Sequence, residues 1–226
     1  MLKRFFQKPV NQYSIVVSDK HKFVWFKVRK VASTSISRIL LKKNLELKNS
    51  DYDARLYKDY FKFAFVRNPY DRLFSNYQHK IKGKRRSEIR PSYIRNIKFR
   101  EGMGFEDFAN QICELPEEKC DRHYRSMHLV FDISGIDFIG RMENFDKDIY
   151  HVLRLINNEN ILKIPHLNKT RKVNYTHFYS DALRDAVAVR YARDLSLFDY
   201  GFESCFDSDL DEIEASSRSH TISEPA

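Results

Sequence analysis

The stretch Lys22–Leu41, KFVWFKVRKVASTSISRILL, decides the fold and contains the first candidate site. Its first part, Phe23–Val28, is rich in aromatic and β-branched residues and indicates a buried strand. From Ile36 onward the apolar residues follow helical spacing. A strand that turns into a helix through cations and small hydroxyl residues directs several backbone N–H groups at one point, which suits a phosphate or sulfate ester. Serine and threonine that only cap the helix explain the same pattern equally well.

The absence of glycine from this loop argues against a nucleotide-triphosphate site. A Walker loop needs glycines so that its backbone can wrap around a triphosphate. In this chain the first glycine is Gly83. The loop can still hold an anion of the size of a monophosphate, so ATPase activity is disfavoured while an anion site is retained.

Composition indicates a folded, basic protein of one domain. The chain has 226 residues, of which 42% are hydrophobic, and a formal net charge of +9. This charge favours an anionic partner: nucleic acid, a phosphorylated cofactor, an acidic polysaccharide or a membrane surface. We expect a domain over residues 1–206 and a disordered acidic, serine-rich tail over 207–226. No apolar run approaches the roughly 18 residues of a membrane span, and the three cysteines have no metal-ligand spacing.

A second strand–loop–helix unit has the same order of features as the first: a buried strand, a cation at its end and then a helix. Phe61–Val66 reads as a buried strand, and Arg67-Asn68-Pro69-Tyr70-Asp71-Arg72 follows at once and opens a helix. Arg67 stands at the end of the strand, and Ser75 lies on the helix within reach of the same anion. Because ligands gather at the carboxyl ends of strands in α/β sheets, two such ends imply a ligand with two separate anionic groups.

These two segments resemble the cofactor signatures of the Golgi-type carbohydrate sulfotransferases, and most closely the branch with the HNK-1, chondroitin and dermatan enzymes. The matching stretches are Lys30-Val31-Ala32-Ser33-Thr34-Ser35 and Phe65-Val66-Arg67-Asn68-Pro69-Tyr70-Asp71-Arg72-Leu73-x-Ser75. The resemblance covers roughly residues 22–203. This chain departs from the family pattern in two places, where Arg29 replaces the usual proline and Ala32 a common glycine.

The resemblance implies an α/β, three-layer, P-loop-like fold whose central, mostly parallel sheet is flanked by helices. It implies 3′-phosphoadenosine 5′-phosphosulfate (PAPS) as sulfuryl donor and no metal. Residues implied to bind the 5′ end of the donor are Arg29, Lys30, Ser33, Thr34 and Ser35, and those implied at the 3′-phosphate are Arg67 and Ser75. A later basic loop adds Lys169 and Thr170 as candidate cofactor ligands.

The catalytic residues implied by the same resemblance are Lys30 and His123. His123 lies in the pattern D-x-H-aromatic, followed by a strand at 138–140 and then G-x-x-E-N. A lone histidine is more often a surface or core residue than a catalytic one. Because His123 lies within this pattern, a role as general base and a structural role are equally favoured for it. His128 is a weaker candidate. Glu143 is a candidate base or substrate contact, but it is interpreted first as a carboxylate in the first turn of a helix, where it stabilises the N-terminus.

The expected function is therefore transfer of a sulfuryl group to an acceptor hydroxyl. A carbohydrate is the expected acceptor, and lipid, small-molecule and peptide hydroxyls stay open. The segment Lys80–Arg100 carries nine cations and a single acidic residue, and it indicates either an acidic acceptor or a solvated insertion. Two other functions stay open: a P-loop-type phosphotransferase, and a basic module that binds nucleic acid or acidic glycan. Nucleic acid is the less favoured partner, because few aromatic residues interleave with the cations.

Without a signal peptide or membrane anchor in this chain, we expect a soluble cytoplasmic protein, such as a bacterial or viral member of the family. A Golgi location applies only to a trimmed catalytic domain.

A helix from Asp181 is expected to pack on the sheet through positions that include Leu183, Val187 and Val189. Nothing in the sequence indicates the oligomeric state.

Overall fold

The computed structural model describes residues 13–42, 45–156 and 173–203. Lys169, Thr170 and the expected tail at 207–226 lie outside these residues. The described strands are β1 (Ile15–Ser18), β2 (Phe23–Phe26), β3 (Lys48–Ser50), β4 (Phe61–Val66) and β5 (Phe138–Arg141). The described α-helices are α1 (Ser33–Lys42), α2 (Pro69–Lys80), α3 (Phe105–Glu114), α4 (Phe145–Leu155), α5 (Asp181–Arg190) and α6 (Ala192–Leu197).

The five strands form one sheet in the order β3-β1-β2-β4-β5. The predicted α/β class with a helix-flanked sheet is confirmed, but the sheet is parallel only in part. The β2–β4 and β4–β5 pairs are parallel, whereas β1 runs antiparallel to both β2 and β3. Only four residues join β1 to β2, and so short a connection makes a hairpin, because a parallel crossover needs a dozen or more residues.

Two apolar clusters hold the described residues together. The first lies on the sheet and includes the aromatic residues Trp25, Phe63 and Phe65. Gly140 in β5 belongs to this packing, because a Cβ there would lie 2.5 Å from the ring of Phe65. The second cluster joins α2, α3 and α5 beside the sheet.

The helix expected from Asp181 forms, but its packing differs from the prediction. Leu183 and Val187 are buried in the second cluster and α5 packs against α3, not against the sheet. Val189 is 81% exposed, so the expectation of its burial is wrong. The helix also ends at Arg190, and a separate helix, α6, begins two residues later. Within the described residues, no helix combines the length and apolar composition that crossing a bilayer requires.

Candidate active site

A cleft of about 520 Å³ opens where β2 and β4 end and where α1 and α2 begin. The parallel pairing of β2 with β4 brings these two strand ends side by side, as the repeated strand–loop–helix pattern predicts. The cleft is lined by Arg29, Lys30, Ala32, Ser33, Thr34, Arg67, Ser75, His79, Lys80 and His123. Of the described residues predicted for the site, only Ser35 is absent from this lining.

The loop from β2 to α1, residues 27–32, reaches an anion-binding shape without glycine. Lys30 and Ala32 adopt left-handed backbone conformations, with φ of 68° and 56°. The Ser33 hydroxyl donates to the Val28 carbonyl and closes the turn. The Ile36 N–H makes the first helical bond, to the Ala32 carbonyl at 3.0 Å. The amides of residues 33–35 precede that bond, so they have no partner within the helix and can meet an anion.

Lys30 carries a charge in a setting that disfavours it. Burial of the ammonium group, reinforced by repulsion from Arg67, Lys80 and Arg72, lowers the pKa of Lys30 from 10.5 to about 8. An opposite charge beside the ammonium group would reverse this effect. The cleft therefore has a strong electrostatic preference for an anion next to Lys30.

The second cation, Arg67, is fixed by α2. Asn68 caps this helix by accepting the Tyr70 N–H at 3.0 Å, and Pro69 occupies the first turn. Arg67 donates from Nε and a terminal nitrogen to the Asp71 carboxylate, at 2.8 and 2.7 Å. Its other terminal nitrogen donates to the Lys30 carbonyl at 3.3 Å. Arg67 thus stands oriented between the two loops, with further N–H groups available to a ligand.

The last turn of α2 adds two cleft residues that the motifs did not identify. His79 lies one helical turn beyond Ser75, and a ring nitrogen, Nδ1, lies 2.9 Å from the Ser75 carbonyl. Lys80 follows and is exposed at the cleft. Helical spacing from Ser75 would have pointed to His79, since residues four apart share a face.

His123 also lines the cleft and is held by a carboxylate. Its Nδ1 lies 2.5 Å from Asp121 Oδ1, which also accepts the His123 backbone N–H at 2.9 Å. Burial acts to raise the pKa of Asp121, but these two hydrogen bonds outweigh it and hold the pKa below its usual range. A carboxylate at Nδ1 favours the tautomer that leaves Nε2 free to accept a proton.

The other two polar candidates have different contacts. His128 Nδ1 lies 2.6 Å from the fully buried Asp194, and His128 is not part of the cleft lining. Glu143 precedes α4 and does not lie in its first turn, so that part of the interpretation is wrong. It accepts the Asn68 N–H and the Tyr200 hydroxyl, each at 2.8 Å, and so supports the start of α2.

The segment Lys80–Arg100, here called the basic surface, is packed against the second cluster. Ile81, Ile89, Tyr93 and Ile94 are buried. All nine cations of the segment are exposed, and Lys80 connects them to the cleft.

Elsewhere in the described residues, Cys113 and Cys120 are free thiols, and no cluster of three or more metal-ligating side chains occurs. The expectation of chemistry without a metal stays a prediction.

Comparison with known proteins finds a family match that covers the residues of the cleft. The sulfotransferase family model matches residues 13–201, which include every described cleft residue. The chain belongs to the sulfotransferase family.

Named sulfotransferases are similar to this chain at low identity. It is 24% identical to carbohydrate sulfotransferase 14 of Danio rerio, over 82% of this chain and 62% of the relative. It is 24% identical to carbohydrate sulfotransferase 10 of Xenopus laevis and 25% identical to the human form, over 82% and 88% of this chain and 67% and 71% of the relatives. The chain thus spans about two thirds of the length of these sulfotransferases. No solved structure gives a significant match.

Proposed function

We propose that this sulfotransferase family member moves a sulfuryl group from PAPS to a hydroxyl group of a carbohydrate. The observation that carries the proposal is the pair of adjacent cationic loops in one cleft, with Lys30 on one and Arg67 on the other. PAPS carries anionic groups at both ends of its nucleoside, and the cleft offers a separate cation for each. The names of the related carbohydrate sulfotransferases support a carbohydrate as acceptor.

The cleft residues fit this donor by charge and by hydrogen bonding. Lys30, Arg29 and the free amides of residues 33–35 would hold the 5′-phosphosulfate, because α1 presents its positive end there. Thr34 adds a hydroxyl group beside them, whereas the Ser33 hydroxyl already donates to the Val28 carbonyl, so Ser33 would contribute its backbone amide. Arg67 and Ser75 would hold the 3′-phosphate. We retain Ser35, Lys169 and Thr170 as proposed ligands, although Ser35 contributes no cleft surface and the other two lie outside the described residues.

The proposed chemistry is an in-line displacement at sulfur. PAPS, when bound, supplies the sulfuryl group and departs as 3′-phosphoadenosine 5′-phosphate. His123 Nε2 accepts the proton of the attacking hydroxyl, and Asp121 stabilises the resulting imidazolium. Lys30 and the amides at the start of α1 neutralise the charge that develops on the departing phosphate oxygen. Arg67 fixes the other end of the donor, so it sets the line of attack.

The acceptor enters a positively charged environment. Lys80 belongs both to the cleft and to the basic surface, so an acceptor that crosses this surface meets cations before it reaches His123. A carbohydrate with carboxylate or sulfate groups is favoured over a neutral one. Salt should weaken binding of such an acceptor, because exposed charges are screened.

Calorimetric titration tests the donor assignment without knowledge of the acceptor. We expect 3′-phosphoadenosine 5′-phosphate to bind, and adenosine 5′-monophosphate to bind far more weakly. Arg67→Ala should weaken the binding of 3′-phosphoadenosine 5′-phosphate by about tenfold to a hundredfold, the value of a hydrogen bond to a charged group. Arg86→Ala is the matched control, since this exposed cation of the basic surface does not line the cleft.

Three results would contradict the proposal. They are no binding to the wild-type protein, unchanged affinity in Arg67→Ala, and a preference for ATP with Mg²⁺, which would favour a phosphotransferase. The acceptor is then tested by transfer of ³⁵S from labelled PAPS to unsulfated chondroitin, with a neutral galactose-terminated oligosaccharide for comparison. Equal transfer rates to these two acceptors would contradict the inference that the basic surface favours an acidic carbohydrate.

A further inference from the structure

Arg72 is a charged residue in the interior, and within the part of the chain that the structure describes its hydrogen bonds all go to backbone carbonyls. It lies on α2, is 1% exposed and does not line the cleft. Its Nε donates to the Arg29 carbonyl at 3.1 Å, and its terminal nitrogens donate to the Arg125 and Arg122 carbonyls at 2.9 and 3.4 Å. Among the described residues it forms no ion pair with a carboxylate. A buried cation without one is costly, so a role beyond stability is to be expected at this position.

The three carbonyls belong to the two loops that carry the proposed catalytic residues. Arg29 immediately precedes Lys30, while Arg122 and Arg125 bracket His123. One guanidinium therefore joins the segment before Lys30 to the loop around His123. Asn76, one turn further along α2, adds to the second contact, because its side-chain amide donates to the His123 carbonyl at 2.7 Å.

The backbone of Lys30 needs such support. A left-handed conformation is unfavourable for a residue with a Cβ, and it persists only where the surroundings fix it. The two carbonyls that flank the Cα of Lys30 both accept from arginines near the start of α2. Arg72 holds the Arg29 carbonyl, and Arg67 holds the Lys30 carbonyl.

We propose that Arg72 is a positioning residue, which keeps Lys30 in its left-handed conformation against the His123 loop and thereby aims the ammonium group at the 5′ end of the donor. Arg72 does not touch the ligand. A guanidinium suits this task because it offers donors in several fixed directions, whereas a lysine in its place has one nitrogen and cannot reach carbonyls on both loops in the same geometry. The inference rests on the proposed function, because it assumes that the cleft binds the donor through Lys30.

The test separates the two ends of the donor by using two probes. Dissociation constants are measured for 3′-phosphoadenosine 5′-phosphate and for adenosine 3′-monophosphate, which lacks the 5′-phosphate. The dissociation constant of adenosine 3′-monophosphate divided by that of 3′-phosphoadenosine 5′-phosphate measures how strongly the 5′-phosphate tightens binding. In Arg72→Lys this ratio should fall about tenfold, the effect of losing one well-placed bond to a charged group. Binding of adenosine 3′-monophosphate should change less than about twofold, since Arg67 and Ser75 are retained.

Two further variants make the test independent of a general loss of stability. Arg72→Gln removes the buried charge and leaves a shorter side chain with an amide donor, and the same fall in the ratio is expected. Arg190→Lys is the matched control, because the Arg190 side chain is only 8% exposed but donates to Glu117, Ser126 and the Ile112 carbonyl, and not to the Lys30 loop. It should lower the melting temperature and leave the ratio unchanged.

The outcomes distinguish this inference from the proposed function. If the wild-type protein binds neither probe, the proposed function fails and the inference fails with it. If the wild type binds both probes and a folded Arg72→Lys or Arg72→Gln protein keeps the wild-type ratio, the inference alone is overturned. The same holds if Arg190→Lys lowers the ratio as much as the Arg72 variants do, because the effect would then follow any loss of a buried arginine.

Discussion

Binding of 3′-phosphoadenosine 5′-phosphate at alkaline pH should draw a proton from solution onto Lys30. In the free protein, burial and then the neighbouring cations lower the pKa of this lysine to about 8. A phosphate beside the ammonium group favours its charged form and raises the pKa again. If binding restores the ordinary value of 10.5, proton uptake is about 0.1 at pH 7, about 0.5 at pH 8 and about 0.9 at pH 9.

The same linkage fixes how affinity changes with pH. Above pH 8 the free protein has lost the Lys30 proton that the complex requires, so the dissociation constant should rise with pH. Between pH 7 and pH 9 the expected increase is about tenfold. Below pH 7, Lys30 is protonated in both states and no longer contributes to the pH dependence.

Calorimetry in two buffers of different ionisation enthalpy measures the uptake directly, because the proton taken up is released by the buffer. Lys30→Arg is the matched control, since arginine stays charged throughout this range. Its uptake at pH 8 should fall close to zero while binding is retained. Equal uptake in the wild-type and Lys30→Arg proteins would refute the assignment of Lys30 to the 5′-phosphate.

Two further predictions concern the donor loop and the proposed base. Ala32→Gly should raise the free energy of unfolding in urea by about 1 kcal/mol, because the φ of 56° suits glycine. Ala186→Gly within α5 should lower it by a similar amount, and destabilisation by Ala32→Gly would contradict the description of the loop. Asp121→Asn should slow sulfuryl transfer from PAPS to unsulfated chondroitin by about 100-fold or more without weakening the binding of 3′-phosphoadenosine 5′-phosphate. An unchanged rate would exclude the Asp121–His123 pair as the base.

The elements of the fold that could be predicted are those with a strong local pattern. β2, β4 and β5 are short apolar runs followed by helix signals, and each forms near its predicted bounds. β3 could not be predicted, because Lys48-Asn49-Ser50 is polar and becomes a strand only by pairing with β1. The break between α5 and α6 at Tyr191 was also hidden, since apolar spacing continues across it. The exposure of Val189 depends on that same tertiary packing.

Much of the candidate site could be predicted because its side chains stand next to strand ends. Lys30 and Arg67 follow β2 and β4, and parallel pairing necessarily brings such positions together. His123 could be proposed only through its surrounding pattern, and its contact with Asp121 required the structure. The bonds of Arg72 had no sequence signal, because a backbone carbonyl is present at every residue. Which carbonyls a buried guanidinium meets is decided by the tertiary fold alone.

That dependence on backbone has a consequence for how this sequence can diverge. The carbonyl groups that Arg72 meets are supplied by residues 29, 122 and 125 whatever their side chains are. Arginine at position 29, where the family pattern has proline, offers the same acceptor as proline would. Substitutions at these three positions therefore leave the acceptors of Arg72 in place, although one at Arg29 would also remove a cation that lines the cleft. Under the proposed function, the spacing of Lys30 and His123 can therefore be kept while the side chains at positions 122 and 125 change.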